Sequence, residues 1–259
     1  MAAPLIQRIS RNSDEAPDAR VVVLPHAGGA VSAYVPLARR LPPRVEVVAA
    51  QYPGRQNRID APAATSLTSL AEDVAGEVLE LRPQVPLVVL GHSLGATLGY
   101  EVATRLGVGQ VQAFVASGRG APHVVIGETR SWLDDHRLVE SLSSLGGPEA
   151  AAYAHAEISR MSLPYLRADL SLLDRYRCRE PRPIGCPVIV LAGRADDACS
   201  DADLRAWSEL CADGMAIVHR VPGGHHHLLE DAKPTVEVLT ALASRPSEDE
   251  VLPRGCLGS

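Results

Sequence analysis

Along this chain short runs made mostly of apolar residues alternate with longer stretches in which apolar residues recur every three or four positions. The runs fall at 20–24, 45–49, 87–90, 111–116, 188–191 and 216–221 and are rich in valine, isoleucine and leucine. Runs of this kind are expected of strands covered on both faces, as in a parallel sheet. Between most of them the spacing turns helical. Over 67–81, Leu67, Leu70, Ala71, Val74, Val78 and Leu81 form one stripe, and similar patterns follow Ser93 and recur near 203–211 and 235–242. Strands alternating with amphipathic helices predict an α/β fold with a doubly wound, mostly parallel sheet.

The alternation breaks once. Between Ser117 and Pro187 no strand pattern occurs, and helical stretches stand instead at 132–145, 149–161 and 166–177. A crossover between parallel strands needs only one helix, so the segment reads as an insertion and not merely as cover for a sheet face. We expect a helical lid over 120–183, set above an active-site edge, within a single domain spanning 1–259. The segment 244–259, SRPSEDEVLPRGCLGS, is charged and turn-rich with little to bury, and a frayed tail is expected there.

Composition narrows the function. A chain of 259 residues, 46% apolar, is long enough for one α/β domain with a large core. Its net charge of −6 argues against nucleic acid as a partner, since phosphate neutralisation needs a basic face. No run approaches the roughly 20 apolar residues that span a bilayer, and no apolar leader follows the amino-terminal basic residues. The expectation is a cytoplasmic protein, monomeric and without a membrane partner. The cysteines Cys178, Cys186, Cys199, Cys211 and Cys256 are odd in number, scattered and free of any C-x-x-C pair, as expected of reduced thiols.

The run at 87–90 leads straight into Gly91-His92-Ser93-Leu94-Gly95 and then into small, helix-compatible residues. The bare pattern G-x-S-x-G arises by chance in about one chain in ten of this length, so its position matters more than its letters. Here it sits between a strand and a helix, the place of the nucleophile elbow in α/β-hydrolases. The turn strains the serine backbone, and a side chain at Gly91 or Gly95 would collide where strand and helix approach.

A serine hydroxyl needs a base, and the base needs an acid to hold its tautomer. In α/β-hydrolases they follow the serine in the order acid, histidine. The run at 188–191 ends in Ala192-Gly193-Arg194-Ala195-Asp196-Asp197, and that at 216–221 in Pro222-Gly223-Gly224-His225-His226-His227. Asp196 is preferred as the acid, leaving Asp197 as a solvated carboxylate or a cap for a helix near Asp201. His225 is preferred as the base because it directly follows the glycine pair. Three consecutive histidines point in divergent directions, so no metal is expected on that run. Oxyanion donors are expected from the backbone N–H of Leu94 and of Ala27, in the loop Leu24-Pro25-His26-Ala27-Gly28-Gly29. His26 itself either touches substrate or caps its loop.

Several stretches together resemble the type II thioesterases that accompany polyketide synthases and nonribosomal peptide synthetases. They are LPHAGG (24–29), QYPGRQNR (51–58), LGHSLGA (90–96), SGRGAP (117–122), LPYLRADLSLLDRY (163–176), GRADD (193–197) and PGGHHHL (222–228). The resemblance implies the α/β-hydrolase fold and an editing hydrolase acting on acyl thioesters. Its partner would be an acyl- or peptidyl-carrier domain bearing the acyl group on phosphopantetheine. Ser93, Asp196 and His225 would form the triad, Ala27 and Leu94 the oxyanion hole, and no cofactor is implied. A serine carboxylesterase or lipase acting on free esters is the alternative use of the same residues. Many members carry aromatic residues after the catalytic histidine, where this chain has His226 and His227. Arg55 and Arg58 read as donors that fix their loop, and Arg119, Arg130 and Arg167 as positive charge for an acidic carrier domain.

Overall fold

The structure is a computed structural model that describes residues 3–10, 15–125, 130–147, 153 and 155–244. Among these residues the apolar runs form strands. The strands are β1 (Ile6–Arg8), β2 (Ala19–Leu24), β3 (Val45–Ala50), β4 (Leu87–His92), β5 (Ala113–Ser117), β6 (Val188–Gly193) and β7 (Ala216–Val221). The helices are α1 (Val35–Ala38), α2 (Leu67–Glu80), α3 (Leu94–Leu106), α4 (Asp135–Ser144), α5 (Ala156–Arg175), α6 (Asp201–Arg205), α7 (His227–Glu230) and α8 (Lys233–Ala243).

The strands make one sheet in the order β1-β3-β2-β4-β5-β6-β7. Short β1 pairs antiparallel with β3, and every other pairing is parallel. Strands β2 to β6 alternate their apolar side chains into two cores. Val22, Leu24, Val48, Val89 and Phe114 meet α2 and α3 on one face. Val21, Val23, Val47, Leu90 and Val115 meet Leu37 of α1 and Leu239 and Leu242 of α8 on the other. The sheet is therefore doubly wound, which is why its inner strands read as runs made mostly of apolar residues.

The chain passes from β2 outward to β3, then crosses back over β2 to β4 and continues the other way. That reversal opens a crevice at the carboxyl ends of β2 and β4, where ligands of open α/β sheets bind. The loops leaving these two strands carry Ala27 and Ser93.

Three expectations about elements change. Strand β1 is too short to show a period in the sequence. Strand β7 is not covered on both faces: as the last strand it exposes Ile217 and His219. The patterns at 149–161 and 166–177 are, where described, one helix, since α5 runs unbroken through Pro164. Proline removes one helical N–H, but Pro164 lies on the exposed face, where the carbonyl left without a partner is open to water. The inward face of α5 carries Leu163, Leu166 and Leu170, which pack with Leu138 of α4 into a core of their own. Residues 148–152 and, beyond Ser244, the expected tail at 245–259 lie outside the described residues. Cys178, Cys186, Cys199 and Cys211 are free thiols. No helix among the described residues is long and apolar enough to cross a membrane.

Candidate active site

Ser93 sits between β4 and α3 with φ 55° and ψ −115°, in the left-handed half of backbone space. A non-glycine residue held there costs about 1–3 kcal/mol, which the flanking packing must sustain. The packing is tight enough. A Cβ on Gly91 would lie 2.0 Å from the Gly95 carbonyl oxygen, and one on Gly95 would lie 1.9 Å from that of Leu24. The Ser93 N–H donates to the Ser117 carbonyl at 2.8 Å, tying the turn to the end of β5.

His225 Nε2 stands 3.1 Å from Ser93 Oγ, and His225 Nδ1 stands 3.0 Å from Asp196 Oδ2. With Nδ1–H donating to the carboxylate, Nε2 holds the lone pair that accepts the Ser93 proton. Asp196 and His225 are both buried, whereas Asp197 is exposed. Burial alone would push the Asp196 carboxyl up. The hydrogen bond and charge of His225, with the Ala198 N–H and the Cys199 thiol, outweigh it and hold the group below its usual range. The acid, base and serine preferred from the sequence thus meet in one hydrogen-bonded chain, and Asp197 stays outside it.

Leu94 is the first residue of α3, and the first amides of a helix have no partner within it. Ala27 lines the same cavity as Ser93 and His225. Its loop is clamped from two sides. The Asp169 carboxylate of α5 accepts the Gly28 N–H at 2.9 Å and Arg55 Nη2 at 2.7 Å, while Arg55 Nη1 donates to the Gly29 carbonyl at 2.9 Å. The Tyr52 hydroxyl adds a bond to the Pro25 carbonyl, and the Arg55 guanidinium stacks over the Tyr165 ring of α5, 4.6 Å from its centre. Arg55 therefore joins three segments, and Arg58 donates to the Ala3 carbonyl. Asp169 gave no signal of this in the sequence, where it was one acid in a helical pattern. Its Arg55 partner stands far away in the chain.

Behind the serine lies a nest of imidazoles. His92 Nδ1 is 3.1 Å from Ser117 Oγ, which is 3.2 Å from His227 Nε2, and His227 Nδ1 is 3.3 Å from the Gly224 carbonyl. A carbonyl only accepts, so the protons are ordered: His227 Nδ1–H donates to Gly224, Ser117 O–H to His227, and His92 Nδ1–H to Ser117. Burial, reinforced by the neighbouring histidines, holds His92 well below the usual histidine range and lowers His226 to about 3. His26 turns Nδ1 to the Tyr34 hydroxyl at 2.9 Å while also lining the cavity, so it both secures its loop and faces the site.

The cavity over Ser93 has a volume of about 80 Å³. Its far wall is Leu142 and Leu145 at the end of α4 and Leu170 and Leu173 of α5. Of the arginines expected to give positive charge toward an acidic carrier domain, Arg119 and Arg130 line this cavity, and Arg119 Nε donates to Thr97. Arg167 ties α5 to the segment before and at the start of α4, donating to the Ser131 and Leu133 carbonyls and to Asp135.

A doubly wound sheet with a strained serine between β4 and α3, and an acid and a histidine after β6 and β7, defines an α/β-hydrolase. The thioesterase domain family matches residues 19–244, and the chain belongs to that family. It is 35% identical to the probable cadicidin biosynthesis thioesterase of Streptomyces griseus over 90% of this chain, a match spanning 64% of that relative's length. It is 31% identical to the gramicidin S biosynthesis protein GrsT of Aneurinibacillus migulanus, over 89% of this chain and 91% of that one. Among solved structures it is similar to the type II thioesterase BorB from the borrelidin biosynthetic cluster. There the TM-score is 0.82 at 33% identity, covering 94% of this chain and 99% of the other.

Proposed function

We propose that this chain is a type II, editing thioesterase, hydrolysing acyl groups from the phosphopantetheine arm of an acyl- or peptidyl-carrier domain. The observation that carries the reading is the chain from Ser93 Oγ to His225 Nε2 at 3.1 Å and from His225 Nδ1 to Asp196 at 3.0 Å, within a thioesterase-family fold. Ser93 attacks the thioester carbonyl as His225 takes its proton. The oxyanion lies on the N–H groups of Ala27 and Leu94, with the positive end of the α3 dipole beneath it. Collapse breaks the C–S bond, and His225 returns the proton to the leaving thiolate. Water, activated by the same histidine, then hydrolyses the acyl-serine and releases the acid.

Helices α4 and α5 act as the lid in this reading, since Leu142, Leu145, Leu170 and Leu173 close the cavity above Ser93. So small a cavity supports short acyl groups as substrates. The test is a panel of short and long acyl groups, each presented on a phosphopantetheinylated carrier domain, on a small thiol and as the matched oxygen ester. Short carrier-bound thioesters should turn over fastest, and Ser93→Ala should abolish both turnover and labelling by a fluorophosphonate. Faster hydrolysis of the free oxygen esters would overturn the reading in favour of a carboxylesterase.

A further inference from the structure

Ser117, the last residue of β5, has two separate holds on the active site. Its carbonyl accepts the Ser93 N–H. Its buried hydroxyl stands between two buried imidazoles, 3.1 Å from His92 Nδ1 and 3.2 Å from His227 Nε2. His92 is the residue before the serine. His227 lies two residues after His225, and its Nδ1–H returns to the carbonyl of Gly224, the residue before His225. The bonds therefore join the chain beside Ser93 to the chain on both sides of His225. Among the described residues that line the cavity are His225 and His226, but not His92, Ser117 or His227.

We infer that Ser117 is a positioning residue for Ser93 and His225: its hydroxyl closes a hydrogen-bonded bracket, His92–Ser117–His227–Gly224, that sets the distance between nucleophile and base without touching substrate. The inference rests on those two residues having these roles. The chain around His225 shows why a bracket is needed. Gly223 and Gly224 deliver the histidine, and Gly223 holds φ 100°, so the backbone there has little stiffness of its own. On the acid side the loop is fixed by backbone contacts. The Ala195 N–H donates to the Gly223 carbonyl at 3.0 Å, and a Cβ on Gly193 would lie 2.2 Å from the Gly224 carbonyl oxygen. Those contacts set His225 against Asp196, and they do not reach the serine. The bracket does, because β4 carries His92 into Ser93 and pairs with β5 so that His92 stands opposite Ser117.

The bracket also has a direction. Its last acceptor is a carbonyl, so at Ser117 one atom must accept from His92 and donate to His227, which a hydroxyl does and a methyl does not. Burial holds both imidazoles below their usual range, and this proton order persists at neutral pH. Proton transfer from Ser93 needs His225 within hydrogen-bond reach, and a slip of about 1 Å between reacting groups costs about 10²-fold in rate.

Two readouts test the bracket: the rate at which a fluorophosphonate labels Ser93, and kcat with KM for a short acyl group on a phosphopantetheinylated carrier domain. In Ser117→Ala the labelling rate and kcat should both fall by about 10²-fold while KM stays within about two-fold, as expected of an interaction that counts only in the transition state. His227→Asn places an N–H where Nδ1 stands, so it keeps the Gly224 bond and removes only the acceptor for Ser117. It should reproduce the loss, and it carries the test where Ser117→Ala does not fold. The double variant should be no slower than the slower single one, because a single path is broken once. With His225→Ala as background, adding Ser117→Ala should leave the remaining hydrolysis within about two-fold, since no base is left to position. Unchanged labelling and kcat in the folded variants, a rise in KM alone, or an equal further loss in the His225→Ala background would overturn the proposal. A protein that takes the label at a rate set by Ser117, yet leaves carrier-bound thioesters intact, would sink the proposed function and leave the bracket standing.

Discussion

At the scale of single residues, the site separates two adjacent carboxylates by which of them the turn buries against His225. Asp196 and Asp197 are equivalent as letters, and their order in the chain does not decide between them. What decides is that the turn after β6 sends Asp196 under the His225 ring and Asp197 into solvent. Replacing Asp196 with asparagine keeps the shape but presents an amide that can donate to Nδ1. The histidine then loses the tautomer with a free Nε2, and kcat should fall by about 10⁴-fold. Asp197→Asn should leave kcat within about two-fold, as expected of a solvated surface change. Equal losses from the two variants, measured with the same carrier-bound substrate, would show that the acid has been misassigned. Ser93 and His225 were legible because a strained turn and a glycine pair each leave a local mark. The roles of His92 and Ser117 were not, because each depends on a partner brought in by the sheet.

At the scale of elements, β2 to β7 were legible as apolar-rich runs, β7 at its observed bounds although it is half-exposed and carries His219 and Arg220. Strand β1, pairing through Ile6, Gln7 and Arg8 only, was not, because so short an edge strand needs no apolar run. The joining of two helical patterns into α5 was hidden by Pro164, whose cost depends on which face the missing bond occupies. The consequence for function lies in Asp169, through which α5 holds the loop that carries Ala27. Asp169→Ala removes acceptors from the Gly28 N–H and from the Arg55 guanidinium, itself 2% exposed. Removing one partner of a buried ion pair typically costs 3–5 kcal/mol. Urea unfolding should register a loss of about that size, with kcat lowered as well because the oxyanion loop is no longer held. Asp169→Asn, which keeps an acceptor oxygen, should recover part of both. A loss within about 1 kcal/mol, the range of an exposed ion pair, would mean that α5 does not brace the loop.

At the scale of the whole molecule, the histidine nest couples the active site to global stability. In the unfolded chain His92 and His226 take up protons near pH 6.5. In the folded protein burial holds His92 well below that range and brings His226 to about 3, so both stay neutral there as the solution is acidified. Below about pH 6.5 the unfolded state therefore binds more protons, and acid favours unfolding. Their stabilising contribution is complete above pH 6.5 and is lost progressively as pH falls. Each should lower stability by about 1.4 kcal/mol per pH unit, together about 2.7, once the unfolded chain is fully protonated. The Asp196 carboxylate acts in a separate window: its folded value is depressed, so its contribution is present above about pH 4 and is lost only below. Urea titrations at pH 7, 6 and 5 follow this histidine contribution, to which His227, also lowered by its burial, adds in the same direction. His226→Phe, which puts an uncharged ring in place of the imidazole, should leave stability at pH 7 little changed and reduce the acid slope by about 1.4 kcal/mol per pH unit. An unchanged slope would mean that His226 is protonated in the folded protein, and the neutral nest behind Ser93 would have to be redrawn.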